Sequence, residues 1–219
     1  MYVCRGTTAQ CEQFATRLAE ANANLANIEK TYGKDSKQYK KAAASVNSYG
    51  VDETGLKKNN GVIIKFDLKK SGGETSANFD NKTGKLVENV TVHFNEKALD
   101  DNSSQALVAH EGSHVDDDKT IGRRNKFDYE FDSHTVQSLF AEAQYPNSAY
   151  VFDVTSPGKP ATKKSPAVAP TTKSYDLWNP SWNGPDKETL RSNAIKAYLA
   201  VPKAQGGKYE LRPPKARKN

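Results

Sequence analysis

Long apolar runs are missing from this chain. No stretch of its 219 residues approaches the roughly 18 that a membrane-crossing helix needs, which excludes a transmembrane helix. Proline is absent from the first 145 residues, since all 10 prolines lie between Pro146 and Pro214. Cysteine is reduced to Cys4 and Cys11, and two thiols without further partners make a poor structural zinc site, which wants four ligands. Their close spacing reads as a local disulfide of an exported protein, with two reduced thiols as the alternative. Met1 to Arg5 has no basic segment followed by an apolar one, so no signal peptide is read there. The expected location is therefore outside the cell as part of a larger exported protein, with the cytoplasm as the second option.

What is present divides at one place. With 36% hydrophobic residues the chain has enough apolar surface for one core, and its length admits one domain plus an appendage. Residues 1–154 carry 19 Lys/Arg against 22 Asp/Glu, whereas residues 155–219 carry 13 against 4. The overall charge of +6 is thus a property of the tail. We expect a folded body over 1–154 and a basic, Pro-rich arm with a short helix over 155–219. The 13 basic residues of the arm could track phosphates. They are interrupted by proline and accompanied by neither a recognition helix nor an aromatic-interleaved sheet, so nucleic acid is disfavoured as a partner.

Periodicity orders the body. Phe14, Leu18, Ala21, Leu25 and Ile28 recur at helical spacing between Ala9 and Lys30, with Gly33 as the stop. Ser36 to Val46 repeats the pattern through Tyr39, Ala43 and Val46. The β-branched runs Gly61–Leu68 and Leu86–Phe94, with a weaker one over Thr75–Phe79, predict a small antiparallel sheet. Helical spacing returns through Ala106, Leu107, Ala109, His110 and His114, and again from about Asp128 to Ala143. Thr155 to Lys173 reads as an extended linker, and Asp186 to Ala200 as a short helix. The fold class expected is α+β.

One motif carries chemistry. In Ala106-Leu-Val-Ala-His-Glu-Gly-Ser-His-Val115 the two histidines, His110 and His114, stand at i and i+4 of a predicted helix. Both imidazoles then project from one face and can reach one metal ion, with Glu111 beside them. A third ligand is needed. Glu130 and His134 stand one turn apart on the next predicted helix and either could supply it, with Glu142 or an aspartate as the remaining candidates. For each, the plain alternative is a solvated face of an amphipathic helix.

His110-Glu-Gly-Ser-His114 resembles the active-site helix of the zincin metallopeptidases, over about residues 61–145. No third histidine follows closely, since Val115-Asp-Asp-Asp-Lys-Thr-Ile-Gly122 lacks one. The similarity is therefore to the glutamate-zincins, whose third ligand comes from a second helix, rather than to the metzincin branch. The resemblance implies Zn2+ held by His110, His114 and, as first choice, Glu130, with His134 second and Glu142 or an aspartate third, and hydrolysis of a peptide or protein substrate. Glu111 would act as general base on a zinc-bound water. The developing oxyanion would need a donor, for which Tyr129, Tyr145, Tyr150, Arg123, Arg124 and His134 are candidates. Asp116, Asp117, Asp118 or Asp132 could receive the N–H of a ligand histidine, against the simpler reading of a solvated acidic run.

One more expectation follows the resemblance, and a second comes from the aromatic residues of the arm. A substrate-pairing edge strand before the active-site helix would put His93 toward the cleft, with a structural role as the alternative. Trp178 and Trp182 could anchor the arm on the body or meet a partner. The chain also resembles the metallopeptidase domains at the C-termini of large bacterial polymorphic toxins of the RHS type. The competing class is a non-catalytic binding or interaction module that keeps the zincin shape. Substrate identity and oligomeric state are not written in any motif.

Overall fold

The computed structural model describes residues 2–50, 61–70, 72–144, 150–156, 171–178 and 187–199. The chain forms two compact units, 1–124 with 132–146, and 125–131 with 147–219.

The first unit opens with a strand that the sequence reading did not anticipate, β1 (Tyr2–Arg5). Helix α1 (Thr8–Tyr32) follows. Thr7 and Gln10 close a reciprocal cap at its start, with Gln10 N–H on Thr7 Oγ1 at 3.3 Å and Thr7 N–H on Gln10 Oε1 at 2.9 Å. Gly33 stops the helix with φ 85°, a left-handed value that costs glycine little. The predicted stripe is the buried one: Phe14, Leu18, Ala21 and Ile28 are buried and Leu25 packs against them. Phe14 is fully buried, with ring centroids of Tyr2, Tyr49 and Phe94 at 5.1, 5.3 and 6.0 Å. Withdrawing one such ring from water contributes about 2 kcal/mol. Helix α2 (Lys37–Asn47), capped by the Ser36 hydroxyl, returns along α1.

Strands β2 (Val62–Lys65), β3 (Gly73–Ser76) and β4 (Val90–Phe94) complete a four-stranded sheet in the order β1-β2-β4-β3. The α+β class is as expected, but the sheet is mixed rather than antiparallel. β1 pairs with β2, and β2 with β4, in parallel, and β3 alone runs antiparallel, against β4. The reason is topological: the helical crossover of α1 and α2 brings β2 back in the direction of β1, and the chain then runs back through β3 so that β4 resumes the direction of β2. Val62, Ile64, Val90, Val92 and Phe94 form the buried, helix-side face of the sheet. A disulfide joins Cys4 of β1 to Cys11 in the first turns of α1, Cα atoms 5.7 Å apart. Closing so short a loop stabilises by about 2.5 kcal/mol in the chain-entropy account. The unit continues through a 3-10 turn at Asn102–Ser104 into α3 (Gln105–Thr120) and then α4 (Lys126–Gln144), a continuous helix whose first six residues are grouped with the second unit.

The second unit contains an antiparallel pair, β5 (Tyr150–Ser156) with β6 (Thr171–Trp178), and α5 (Lys187–Leu199). Both ends of the segment read as a linker are therefore strand: Thr155 pairs with Thr172, and Val154 with Lys173. The β-branched Thr and Val positions favour this extended pairing, which low apolar content had hidden. Residues 157–170 lie outside the described residues, as do Tyr145, Trp182 and the basic tail. In α5, Ile195 and Leu199 are buried one turn apart, and Arg191, also buried, donates to Glu188 at 2.9 Å. Within this unit Phe127 and Phe131 stack at 6.1 Å, with Lys196 Nζ 5.9 Å from the Phe131 ring centroid.

Candidate metal centre

Helix α3 is buried on nearly every side from Gln105 to Asp118, which explains why it lacks a clean apolar stripe. One face lies against the end of α2 at backbone range. A Cβ on Gly112 would stand 2.3 Å from the Ser45 carbonyl oxygen and 2.8 Å from the Tyr49 ring, so only glycine permits this approach. Side chains then fasten the two helices. Ser48 Oγ donates to the Gly112 carbonyl at 2.9 Å, Tyr49 Oη to the Val108 carbonyl at 2.8 Å, and Lys119 Nζ to the Ser48 carbonyl at 2.8 Å. Burial, then the charge of Glu111, pushes the Tyr49 phenol well above its usual range, so it remains a donor.

The histidines of α3 meet the single histidine of α4. His110, Glu130 and His134 are all buried, and each offers a ligand atom within 4.8 Å of the others. The His110 ring has His134 at 4.7 Å and His114 at 4.9 Å, both edge-on. The two alternatives for a third ligand thus lie together, with Glu130 one turn before His134 on α4. His114 stands beside this group and outside its tightest set, and its Nδ1 is hydrogen-bonded to Ser133 Oγ at 2.9 Å. Two imidazoles and a carboxylate, with a further imidazole alongside, are a donor set that suits zinc. Ser133 plays the part expected of an aspartate, fixing a ring by its second nitrogen. No sequence signal pointed to it.

Glu111 is 2% exposed and faces the edge strand β3. Thr75 Oγ1 donates to Glu111 Oε2 at 2.7 Å. A Cβ on Gly73 would lie 2.5 Å from Glu111 Oε1, so the bare strand leaves room for this carboxylate. Thr75 and Gly73 came 36 and 38 positions before Glu111, too distant for local pattern to connect them. His93 is not on the edge strand. It belongs to β4, between β2 and β3, and points with Thr91 to the face opposite Val92 and Phe94, away from Glu111.

The acidic run after the motif is not a solvated face. Asp117 and Asp118 are 6% and 4% exposed. Arg124 pairs with Asp117 and, at 2.8 Å, with Asp132, which also pairs with Lys41. Desolvation raises the carboxyls of Asp116 and Asp117 above the ordinary range and lowers the Lys119 ammonium. Asp132 and Arg124 are thereby committed to one another, which leaves Arg124 a poor oxyanion donor. Arg123 is exposed and Tyr129 half-buried. Tyr150 is described only by its backbone. Glu142 is buried but accepts from Tyr32 Oη at 2.8 Å, two turns beyond His134, and does not join the group.

No family model, curated protein or solved structure matches the chain. Among the described residues, no helix is long and apolar enough to cross a membrane.

Proposed function

We propose that this chain is a zinc-dependent peptidase, with His110, His114 and Glu130 or His134 as metal ligands and Glu111 as general base. The observation that carries the reading is the buried convergence of His110, Glu130 and His134 from α3 and α4 beside a carboxylate held by Thr75. Zinc, when bound, would acidify water and polarise a carbonyl. The residues of the chain would do the rest. Glu111 accepts a proton from the attacking water and returns it to the leaving amine. Thr75 fixes the carboxylate in one rotamer, and Ser133 orients the His114 ring. Strand β3 ends the sheet and so presents a backbone edge to which an extended peptide can pair. The Cys4–Cys11 disulfide suits an oxidising compartment, which supports a domain of an exported effector or toxin.

A second reading has its own observation. Three histidines and Glu130 offer four donors, and four protein ligands would close a tetrahedral zinc site and make it structural. Metal content decides first. We expect about one zinc per chain by elemental analysis, lost in His110→Ala. Loss in only one of Glu130→Ala and His134→Ala identifies the third ligand, with casein hydrolysis as the accompanying assay. An apoprotein that takes up no zinc when it is supplied removes both readings.

Thr75→Val tests the support of Glu111. The substitution keeps the shape and deletes one hydrogen bond to a charged group, so kcat on casein should fall about tenfold with zinc content unchanged. An unchanged kcat would mean that Thr75 does not position the base.

A further inference from the structure

The face of the sheet turned away from α3 carries a second constellation that the metal centre does not use. His93 Nδ1 lies 2.6 Å from Asp67 Oδ1, and His93 Nε2 lies 3.3 Å from Ser76 Oγ. The register produces this. Ser76 pairs with Thr91, and His93 is two residues further along β4, so the two side chains are diagonal neighbours on one face. Asp67 follows β2, whose Lys65 is in register with His93. All three groups are reachable from solvent, the His93 side chain at 23% and Asp67 at 54% exposure.

With the imidazole neutral, the carboxylate end of the chain of bonds sets its polarity. The hydrogen bond from His93 holds the Asp67 carboxyl below the usual carboxylate range, so it is ionised and can only accept. The proton between them then belongs to Nδ1, which in neutral imidazole leaves the Nε2 lone pair toward the Ser76 hydroxyl. The Ser76 hydroxyl has one other acceptor within reach, the Thr91 carbonyl at 3.4 Å. Beside Ser76 lies a groove of about 240 Å³, lined among others by Ile63, Ala77, Asn78, Asn89 and Thr91. Asn89 accepts from the Gly61 N–H at 3.0 Å through its oxygen, which leaves its NH2 to donate. The space is below that of sites for drug-sized ligands and suits a small acyl group.

We propose that Ser76 is a nucleophile, His93 its base and Asp67 a positioning residue, and that the site hydrolyses small acyl esters bound in this groove. The Ser76 proton passes to His93 Nε2 as Oγ bonds to the ester carbonyl carbon. The ester C–O bond then breaks, and the alcohol leaves with the proton from His93. Water, giving its proton to His93, attacks the acyl-serine, and the acid is released as the proton returns to Ser76 Oγ. One ester and one water give one acid and one alcohol. The site shares no residue with the metal centre.

The probe is an alkyl fluorophosphonate applied to the full chain, with p-nitrophenyl acetate for turnover. In the labelling step Oγ–P forms, P–F breaks, fluoride leaves and His93 takes the proton. We expect one adduct per chain, located at Ser76 by peptide mass spectrometry and absent in Ser76→Ala. His93→Ala should label at least about 100-fold more slowly. Asp67→Ala should slow labelling, and Asp67→Glu should recover part of the rate, a rescue that a merely structural contact would not give. All three side chains lie on the exposed face, and a thermal melt shows whether each variant keeps the fold. An adduct elsewhere, no adduct, or an equal labelling rate in folded His93→Ala overturns the proposal.

Discussion

Glu111→Gln is expected to reduce peptide hydrolysis by 100-fold or more while zinc content and melting temperature stay at the wild-type values, because general-base catalysis contributes about 10²- to 10⁴-fold. Glutamine has the same shape, and its carboxamide oxygen can still accept from Thr75 Oγ1, which now stands 2.7 Å from Glu111 Oε2. The close face of Gly73, where an added Cβ would lie 2.5 Å from Glu111 Oε1, accommodates the amide as it does the acid. What is lost is proton affinity alone. Because Glu111 is proposed as the base and not as a ligand, metal retention should not depend on it. Stopped hydrolysis with full zinc supports the peptidase and excludes a purely structural metal. Full zinc with undiminished hydrolysis would remove Glu111 from the chemistry, and loss of zinc would make it a ligand. Zinc without any casein hydrolysis in the wild type would favour the closed, structural site.

The local part of this architecture was legible. The stripe from Phe14 to Ile28 and the spacing of His110 and His114 each depend on residues within a few turns, and α1 and α3 follow those patterns. What escaped was long-range. β1 is four residues, and its pairing with β2 spans the whole α1–α2 crossover, so nothing adjacent announces it. The direction of β1 against β2 is set by that crossover, and that of β2 against β4 by the intervening return through β3; neither is set by alternation, which is why the mixed sheet looked antiparallel. The acidic run Asp116–Asp118 has the composition of a solvated face, and its burial depends on Arg124 and on α4 returning against α3. Sequence spacing brought Glu130 and His134 within one turn of each other; it could not say that His114 would turn to Ser133.

Gly112→Ala should lower the melting temperature, although helix propensity alone favours alanine by about 1 kcal/mol. Two terms compete. The added methyl carbon would sit 2.3 Å from the Ser45 carbonyl oxygen, 2.8 Å from Tyr49 Cε2 and 3.0 Å from Ser45 C. Two of these neighbours are backbone atoms of α2, and Tyr49 is fully buried and tied to Val108 at 2.8 Å, so none can yield without moving a helix. Overpacking of this kind costs about 3 kcal/mol, leaving a net loss of about 2 kcal/mol after propensity is credited. For a chain of this size that is a fall of roughly 4–8 °C in Tm. Gly33, where a Cβ would meet nothing within 4 Å, supplies the contrast: Gly33→Ala should lose only the backbone cost of φ 85° with ψ 148°, about 1–3 kcal/mol, and displace no helix. The displacement in Gly112→Ala has a direction as well as a cost. Pushing α3 from α2 moves His110, Glu111 and His114 together, so zinc affinity should weaken even in the protein that remains folded. A calorimetric scan beside a zinc titration reads both. A raised Tm with unaltered zinc binding would mean that α2 and α3 do not touch at Gly112, and that the tight seat of the metal helix has another origin.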